Sequence, residues 1–196
     1  MSLPRAMEDQ IQVAAADGMR ALGRRIAGLL KAGDLVILSG PLGAGKTTLV
    51  QGIGEGLGVR GPITSPTFVI ARVHPSLVGG PDLVHADAYR LTGPAEVDDL
   101  DLDASLERSV TVVEWGGGLA EGLAADRLEI TISLAAPPAG RGQDGVPGPQ
   151  DGEIDRRPRT VRIAGIGERW RAAGGIEPRG SGDSAFLPCS PRPEAL

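Results

Sequence analysis

The chain has 196 residues, 41% hydrophobic and only 3% aromatic, so a globular fold with an aliphatic core is expected rather than disorder. Its net charge of −5 argues against a protein that grips tRNA or DNA by itself, because phosphate contacts favour basic surfaces. The N-terminus lacks a signal peptide's apolar stretch and no apolar run approaches the ~20 residues of a membrane span, so we expect a cytoplasmic protein without membrane contact.

Hydrophobic periodicity predicts a mixture of strands and helices. The predicted strands lie at 10–14, 35–38, 67–73, 82–86, 110–114 and 127–134, and the predicted helices at 17–31, 46–57 and 94–100, with a further short segment near 116–122. Residues 35–38 form the continuous aliphatic run Leu-Val-Ile-Leu, which is typical of a strand buried in a parallel sheet. Apolar runs mixed with helices indicate the α/β class.

The composition changes near the C-terminus. Residues 135–158 contain five prolines, five glycines and almost no large apolar side chain, so burial cannot repay their ordering entropy. We interpret this segment as a flexible insertion. Residues 159–164 alternate again and predict a last strand. We therefore expect one domain over residues 1–170, including the insertion, and a disordered tail over 171–196.

The segment 40–47 matches the phosphate-loop pattern G-x-x-x-x-G-K-[ST] without mismatch, between a predicted strand and a predicted helix as the pattern requires. Glycines let backbone N–H groups converge on phosphate oxygens. The Lys46 ammonium is expected between the β- and γ-phosphates, the Thr47 hydroxyl on Mg²⁺, and Thr48 near the α-phosphate. The residues predicted to bind nucleotide here are Gly40, Pro41, Leu42, Gly43, Ala44, Gly45, Lys46, Thr47 and Thr48.

Two carboxylates follow predicted apolar strands. Asp87 comes after the run at 83–86 and Glu114 after the run at 110–113, and ligands of open parallel sheets bind at the carboxyl ends of the strands. We predict that Asp87 holds Mg²⁺, directly or through water, and that Glu114 holds Mg²⁺ or orients the attacking water. These two roles stay open. Lys46, Asp87 and Glu114 are thus the predicted catalytic residues, whereas His85, inside a strand, is interpreted mainly as a core histidine.

Three hydroxyls flank a rigid proline in Thr64-Ser65-Pro66-Thr67. Such a segment is either a plain turn or a switch loop that responds to the γ-phosphate, and the residues alone favour neither. As for the base, guanine-specific phosphate-loop proteins use an N-K-x-D motif. The chain contains no Asn, so ATP is favoured over GTP.

Four segments together resemble the TsaE family (also called YjeE), bacterial ATPases of tRNA threonylcarbamoyladenosine biosynthesis. In chain order they are 39–48, 64–68, 85–91 and Glu114-Trp115. The resemblance covers roughly residues 8–134, and weakly 159–170. It implies a P-loop NTPase-like fold, in which a mostly parallel central sheet is flanked by helices. It also implies Mg-ATP hydrolysis that is weak for the protein alone.

The resemblance further implies partners and roles. The TsaD and TsaB proteins transfer a threonylcarbamoyl group onto the adenosine beside the anticodon, and the family protein is thought to bind them and support repeated turnover. The family protein would be associated with tRNA only indirectly, through these partners. By the same resemblance Thr47, Asp87 and Glu114 hold magnesium and its water. The segment 64–67, which includes Thr64 and Thr67, would be the switch, and Trp115 would lie near the nucleotide or the partner.

Two other functions use the same loop. A small-molecule kinase would need an Arg-rich lid, and the only Arg-containing candidate, around 141–159, is mostly Pro and Gly. A nucleotide-gated binding module with little turnover is the second alternative, and the two carboxylates argue against it.

Overall fold

The computed structural model describes residues 5–66, 71–91, 93, 96, 107–135, 157–171 and 186–187. The strands are β1 (Arg5–Val13), β2 (Leu35–Ser39), β3 (Ala71–His74), β4 (Asp82–Asp87), β5 (Ser109–Glu114), β6 (Arg127–Leu134), β7 (Arg159–Ile166) and β8 (Phe186–Leu187). The helices are α1 (Ala16–Ala27) and α2 (Lys46–Leu57), and a 3₁₀ turn spans Glu168–Trp170. No helix in these ranges is long and apolar enough to cross a membrane.

The strands form one sheet in the order β3-β4-β5-β2-β6-β7-β1-β8. The central strands β4, β5, β2 and β6 are parallel, which confirms the predicted α/β class with a parallel sheet centre. The outer strands pair antiparallel. Strand β2 has β5 on one side and β6 on the other. The strands that follow β2 in the chain therefore lie on both sides of it, which makes β2 the topological switch point of the sheet. The loop after β2 therefore lies where open α/β sheets bind ligands.

Both faces of the sheet are buried at its central strands β2, β4 and β5. Val36 and Leu38 of β2 pack in one core with α1 and α2. Leu35 and Ile37 point into a second core, which residues 119–124 help to cover. The aliphatic run of β2 thus serves two apolar layers, since alternate residues of a strand face opposite sides of the sheet. In the described ranges, turns rather than a helix cover the second face.

Glycines set the close packing of α1 against α2. A Cβ on Gly23 would meet the carbonyl oxygen of Leu49 and would lie 2.8 Å from the Cα of Gly52. A Cβ on Gly52 would in turn meet the backbone of Arg20. The glycines of α2 lower its helix propensity, but here they allow two helix backbones to approach each other.

Several element boundaries differ from the predicted ones. β1 begins at Arg5 instead of residue 10 because β7 pairs with it along its length. α1 ends at Ala27 rather than at 31, since residues 28–34 form turns in which the Lys31 N–H donates to Asp34 over 2.9 Å. The segment near 116–122 forms turns.

Some predicted elements fall partly or wholly outside the described residues. Of the strand predicted at 67–73, the structure describes the last part, as β3 at Ala71–His74. Outside the described residues lie the predicted helix at 94–100, apart from Glu96, and most of the insertion and of the tail.

Candidate functional site

The loop from β2 to α2 has a backbone that requires glycine. Gly40, Gly43 and Gly45 have φ angles of 151°, 75° and 102°, a region that disfavours other L residues. A Cβ on Gly40 would also lie 2.5 Å from the carbonyl oxygen of Ile132 on β6. The glycines at the two ends of the motif are therefore needed for the turn itself, which delivers Lys46 as the first residue of α2.

Lys46 is buried inside this loop, with 5% of its surface exposed. Its Nζ donates to the carbonyl oxygens of Gly40 and Pro41 over 3.0 and 3.1 Å. The same Nζ lies 3.7 Å from the centroid of the Trp115 ring, a cation–π contact. Burial lowers the pKa of Lys46, and the negative charges of Glu114 and Asp87 partly oppose that shift.

The two carboxylates lie side by side at the sheet edge, because Asp87 and Glu114 are register partners on the parallel strands β4 and β5. They are 6% and 3% exposed. Oε1 of Glu114 accepts a hydrogen bond from the Thr47 hydroxyl over 2.8 Å. Asp87 accepts from the Ser65 hydroxyl over 3.1 Å and from the backbone N–H of Tyr89 over 3.0 Å. Two carboxylates and a hydroxyl are the hard oxygen donors that suit Mg²⁺.

His85 belongs to this network. Its side chain is fully buried, in agreement with the interpretation as a core residue, but its Nε2 lies 2.9 Å from Oε1 of Glu114. In the tautomer that carries its proton on Nε2, His85 donates a hydrogen bond to this carboxylate oxygen. His85 therefore orients a carboxylate of the site in addition to filling the core.

A cavity of about 540 Å³ opens in front of these groups. Its size is in the range of small-molecule sites. It is lined by Leu42, Gly43, Gly45, Lys46, Thr47, Thr48, Ser65, Asp87, Tyr89, Glu114 and Trp115. Loop, hydroxyls and both carboxylates thus converge on one space.

Known proteins with similar sequences decide the family. Residues 13–140 match the family described as threonylcarbamoyl adenosine biosynthesis protein TsaE. The chain belongs to the TsaE family. Relatives named tRNA threonylcarbamoyladenosine biosynthesis protein TsaE occur in Streptomyces coelicolor, 58% identical over 79% of this chain and 95% of the relative, and in Bacillus subtilis, 39% identical over 59% and 72%.

A solved structure agrees with the fold of this TsaE-family chain. The crystal structure of YdiB from Bacillus subtilis matches it with a TM-score of 0.60 and 27% sequence identity, covering 83% of this chain and 88% of YdiB. The P-loop α/β fold is therefore shared. The family match ends at residue 140, before β7 begins at Arg159.

Not every predicted site residue lines the cavity of this TsaE-family chain. Gly40, Pro41 and Ala44 direct their carbonyl oxygens to the cations Lys46 and Arg159. Thr64 is exposed and absent from the cavity wall, where Ser65 takes its place. Thr67 lies outside the described residues.

Three residues near the site were not predicted to act there: His85, Tyr89 and Arg159. Ser65 was predicted only as part of the possible switch segment 64–67. Tyr89 had a signal, as the chain's single tyrosine placed two residues after Asp87, and its ring packs 5.1 Å from Trp115. No local sequence signal indicated Arg159, because its partner Ala44 is 115 positions away in the chain. It lies at the end of the candidate kinase lid, yet it is a buried strand residue.

Proposed function

We propose that this chain binds Mg-ATP in the cavity before the phosphate loop and hydrolyses it. The observation that carries the proposal is the cluster formed by the buried residues Lys46, Asp87 and Glu114. The partly buried Thr47 joins it through its hydroxyl, which donates a 2.8 Å hydrogen bond to Glu114. A cation, a hydroxyl and two carboxylates at one cavity form the equipment of phosphoryl transfer to water.

Different residues of the chain would bind the phosphates, hold the metal ion and orient the water molecule. Loop amides and Lys46 bind the phosphates, and the Lys46 ammonium is already held at the loop by the carbonyls of Gly40 and Pro41. Thr47, Asp87 and Glu114 would hold Mg²⁺, which when bound neutralises developing phosphate charge. Between Asp87 and Glu114, the carboxylate that does not contact the metal directly orients the attacking water.

The family supports a proposal for the cellular role. Relatives carry the name of tRNA threonylcarbamoyladenosine biosynthesis proteins. We propose that this chain is an accessory ATPase of the complex that adds threonylcarbamoyl to the adenosine beside the anticodon, with TsaD and TsaB proteins as its partners. The net charge of −5 supports a subunit that does not itself bind tRNA, so that other subunits of the complex would bind it.

The two lysines of the chain provide a matched test of the site. Lys46→Ala is expected to abolish ATP binding and hydrolysis, because the phosphate charge loses its buried partner. Lys31→Ala removes the other lysine, at an exposed position, and is expected to match the parent. Binding is measured by calorimetry and turnover by phosphate release. Hydrolysis by Lys46→Ala at the parent rate would place the site elsewhere.

The partner assignment is tested separately. Purified TsaD–TsaB is titrated into the chain with ATP present, and phosphate release is expected to rise. Lys46→Ala with the same partners serves as the blank. If the pair neither binds nor stimulates, the role in tRNA modification is wrong while the ATPase proposal stands. A phosphorylated small-molecule acceptor in place of free phosphate would instead indicate a kinase.

A further inference from the structure

We propose that Arg159 is a positioning residue for the phosphate loop: its guanidinium holds the peptide between Ala44 and Gly45 so that the Gly45 amide faces the cavity. This inference rests on the proposed nucleotide site and adds to it a residue from a distant strand.

Arg159 reaches the loop from β7. It is the first residue of that strand and pairs with Leu134 at the end of β6, so it lies at the sheet edge that carries the loop. Its side chain is buried, with 7% exposed. Nε donates to the Ala44 carbonyl oxygen over 3.0 Å, and Nη1 donates to the Arg157 carbonyl oxygen over 3.1 Å. A Cβ on Gly45 would lie 3.6 Å from the same Nε.

Because the peptide unit is planar, the hydrogen bond to the Ala44 carbonyl oxygen also fixes the direction of the Gly45 N–H. The C=O of Ala44 and the N–H of Gly45 belong to one peptide unit, and in a trans peptide they point in opposite directions. When Arg159 holds the carbonyl on its own side, the Gly45 N–H points away from the guanidinium. Gly45 lines the cavity, so its amide is presented to the space where phosphate would bind.

Within the part of the chain that the structure describes, Arg159 is the cation that holds the Ala44 carbonyl oxygen. Lys46 is engaged by the carbonyls of Gly40 and Pro41, while the Gly45 carbonyl accepts from the N–H of Leu49 in the first turn of α2. A charged donor makes the stronger hydrogen bond and polarises the peptide it holds, which improves the N–H at the other end as a donor.

Two substitutions separate the donor from the rest of the side chain. Gln carries its amide nitrogen at the chain position of the Arg Nε, so Arg159→Gln keeps a donor to Ala44 without the charge. Arg159→Met fills similar space without a donor. We expect Arg159→Met to weaken ATP binding by about tenfold or more, and Arg159→Gln to stay within about threefold of the parent. Affinity is measured by calorimetry with Mg-ATP, beside thermal midpoints without nucleotide.

Arg162→Met is the matched control, since Arg162 lies on the same strand and makes a half-exposed ion pair with Glu8. It is expected to bind ATP as the parent does. The inference is overturned if Arg159→Met binds like the parent, or if Arg159→Gln falls as far as Arg159→Met. If Arg159→Met does not fold, Arg159→Lys replaces it. Lys keeps the charge but has a methylene where Arg has Nε, so Arg159→Lys must bind more weakly than Arg159→Gln.

This experiment distinguishes the inference from the proposed function. A parent chain that does not bind ATP removes both. A parent that binds, with Arg159→Met unchanged, removes only the role of Arg159.

Discussion

Glu114 is the residue through which three parts of the chain meet. It is the last residue of β5 and accepts a hydrogen bond from the hydroxyl of Thr47 in α2. Its carboxylate also lies against the buried His85 of β4. A carboxylate held from two sides has a restricted orientation, which is what the placement of a water molecule or a metal ion requires. His85 and Thr47 are therefore expected to matter for turnover through Glu114.

Glu114→Gln tests this residue with almost no change in shape. We expect the variant to bind ATP and to hydrolyse it about 100-fold more slowly or worse, since the amide cannot act as the base or charged ligand. Glu129→Gln, at a half-buried ion pair with Arg127 on β6, should hydrolyse at the parent rate. Phosphate release under saturating ATP is the measurement. Undiminished turnover with intact binding would favour a nucleotide-gated binding module.

Gly40 and Gly43 differ in what surrounds them. Both have positive φ, but a Cβ on Gly40 meets the Ile132 carbonyl oxygen at 2.5 Å, whereas nothing lies within 4 Å of one on Gly43. Gly43→Ala should cost only the conformational penalty of about 1–2 kcal/mol. Gly40→Ala should cost more and impair ATP binding, because backbone has to move. Thermal unfolding and calorimetry compare them, and equal losses would contradict the geometry.

At the scale of elements, the helix pair α1–α2 supports the phosphate loop from behind. The two helices approach through Gly23 and Gly52, whose absent side chains leave room for the backbone of the other helix. Their close packing fixes α2, and therefore the position of Lys46 and Thr47 at its N-terminus. This packing explains glycines that a helix would otherwise disfavour.

Gly52→Ala separates propensity from packing. Alanine favours a helix by about 1 kcal/mol over glycine, so propensity alone predicts a more stable protein. Overpacking against the Arg20 backbone is expected to outweigh this, with a net loss of about 1–3 kcal/mol. Gly28→Ala is the control, because Gly28 has helical angles of −65° and −13° and should accept Ala without loss. Urea unfolding measures both, and a stabilised Gly52→Ala would refute the packing argument.

At the scale of the whole molecule, β7 and the 3₁₀ turn complete the fold beyond the family match. β7 pairs with both β6 and β1, and Trp170 is fully buried in the core that contains α1 and α2. Arg169 binds the Asp34 carboxylate over 3.1 Å and the Leu29 carbonyl oxygen over 2.7 Å. The stability of the fold that carries the proposed nucleotide site is therefore expected to depend on residues far from that site in sequence.

Truncation tests that dependence. A chain ending at Ala135 lacks the common partner of β6 and β1, so we expect it to lose cooperative unfolding and ATP binding. A chain ending at Arg171 keeps all the named elements except β8, and should unfold cooperatively close to the parent. Circular dichroism against temperature compares them. Full stability of the shorter chain would show that β7 is dispensable.

The strands at the sheet centre, the loop over 40–47 and the positions of Asp87 and Glu114 followed from local patterns. An aliphatic run, a glycine motif and a carboxylate directly after a strand each occupy a short stretch of sequence, where periodicity and spacing can be read. Parallel strands bring their carboxyl ends to one edge, which is why two acids 27 positions apart could be expected at one site without knowledge of the structure.

The partners of His85, Ser65 and Arg159 were decided by tertiary structure. His85 meets Glu114 because β4 and β5 are neighbours, and Arg159 meets Ala44 because β7 lies against β6. Strand order and register arise from the burial of whole faces, to which distant segments contribute together, so no short stretch of sequence carries a signal for them. The motif thus specified the loop, while the assembled sheet determined which side chains hold it in shape.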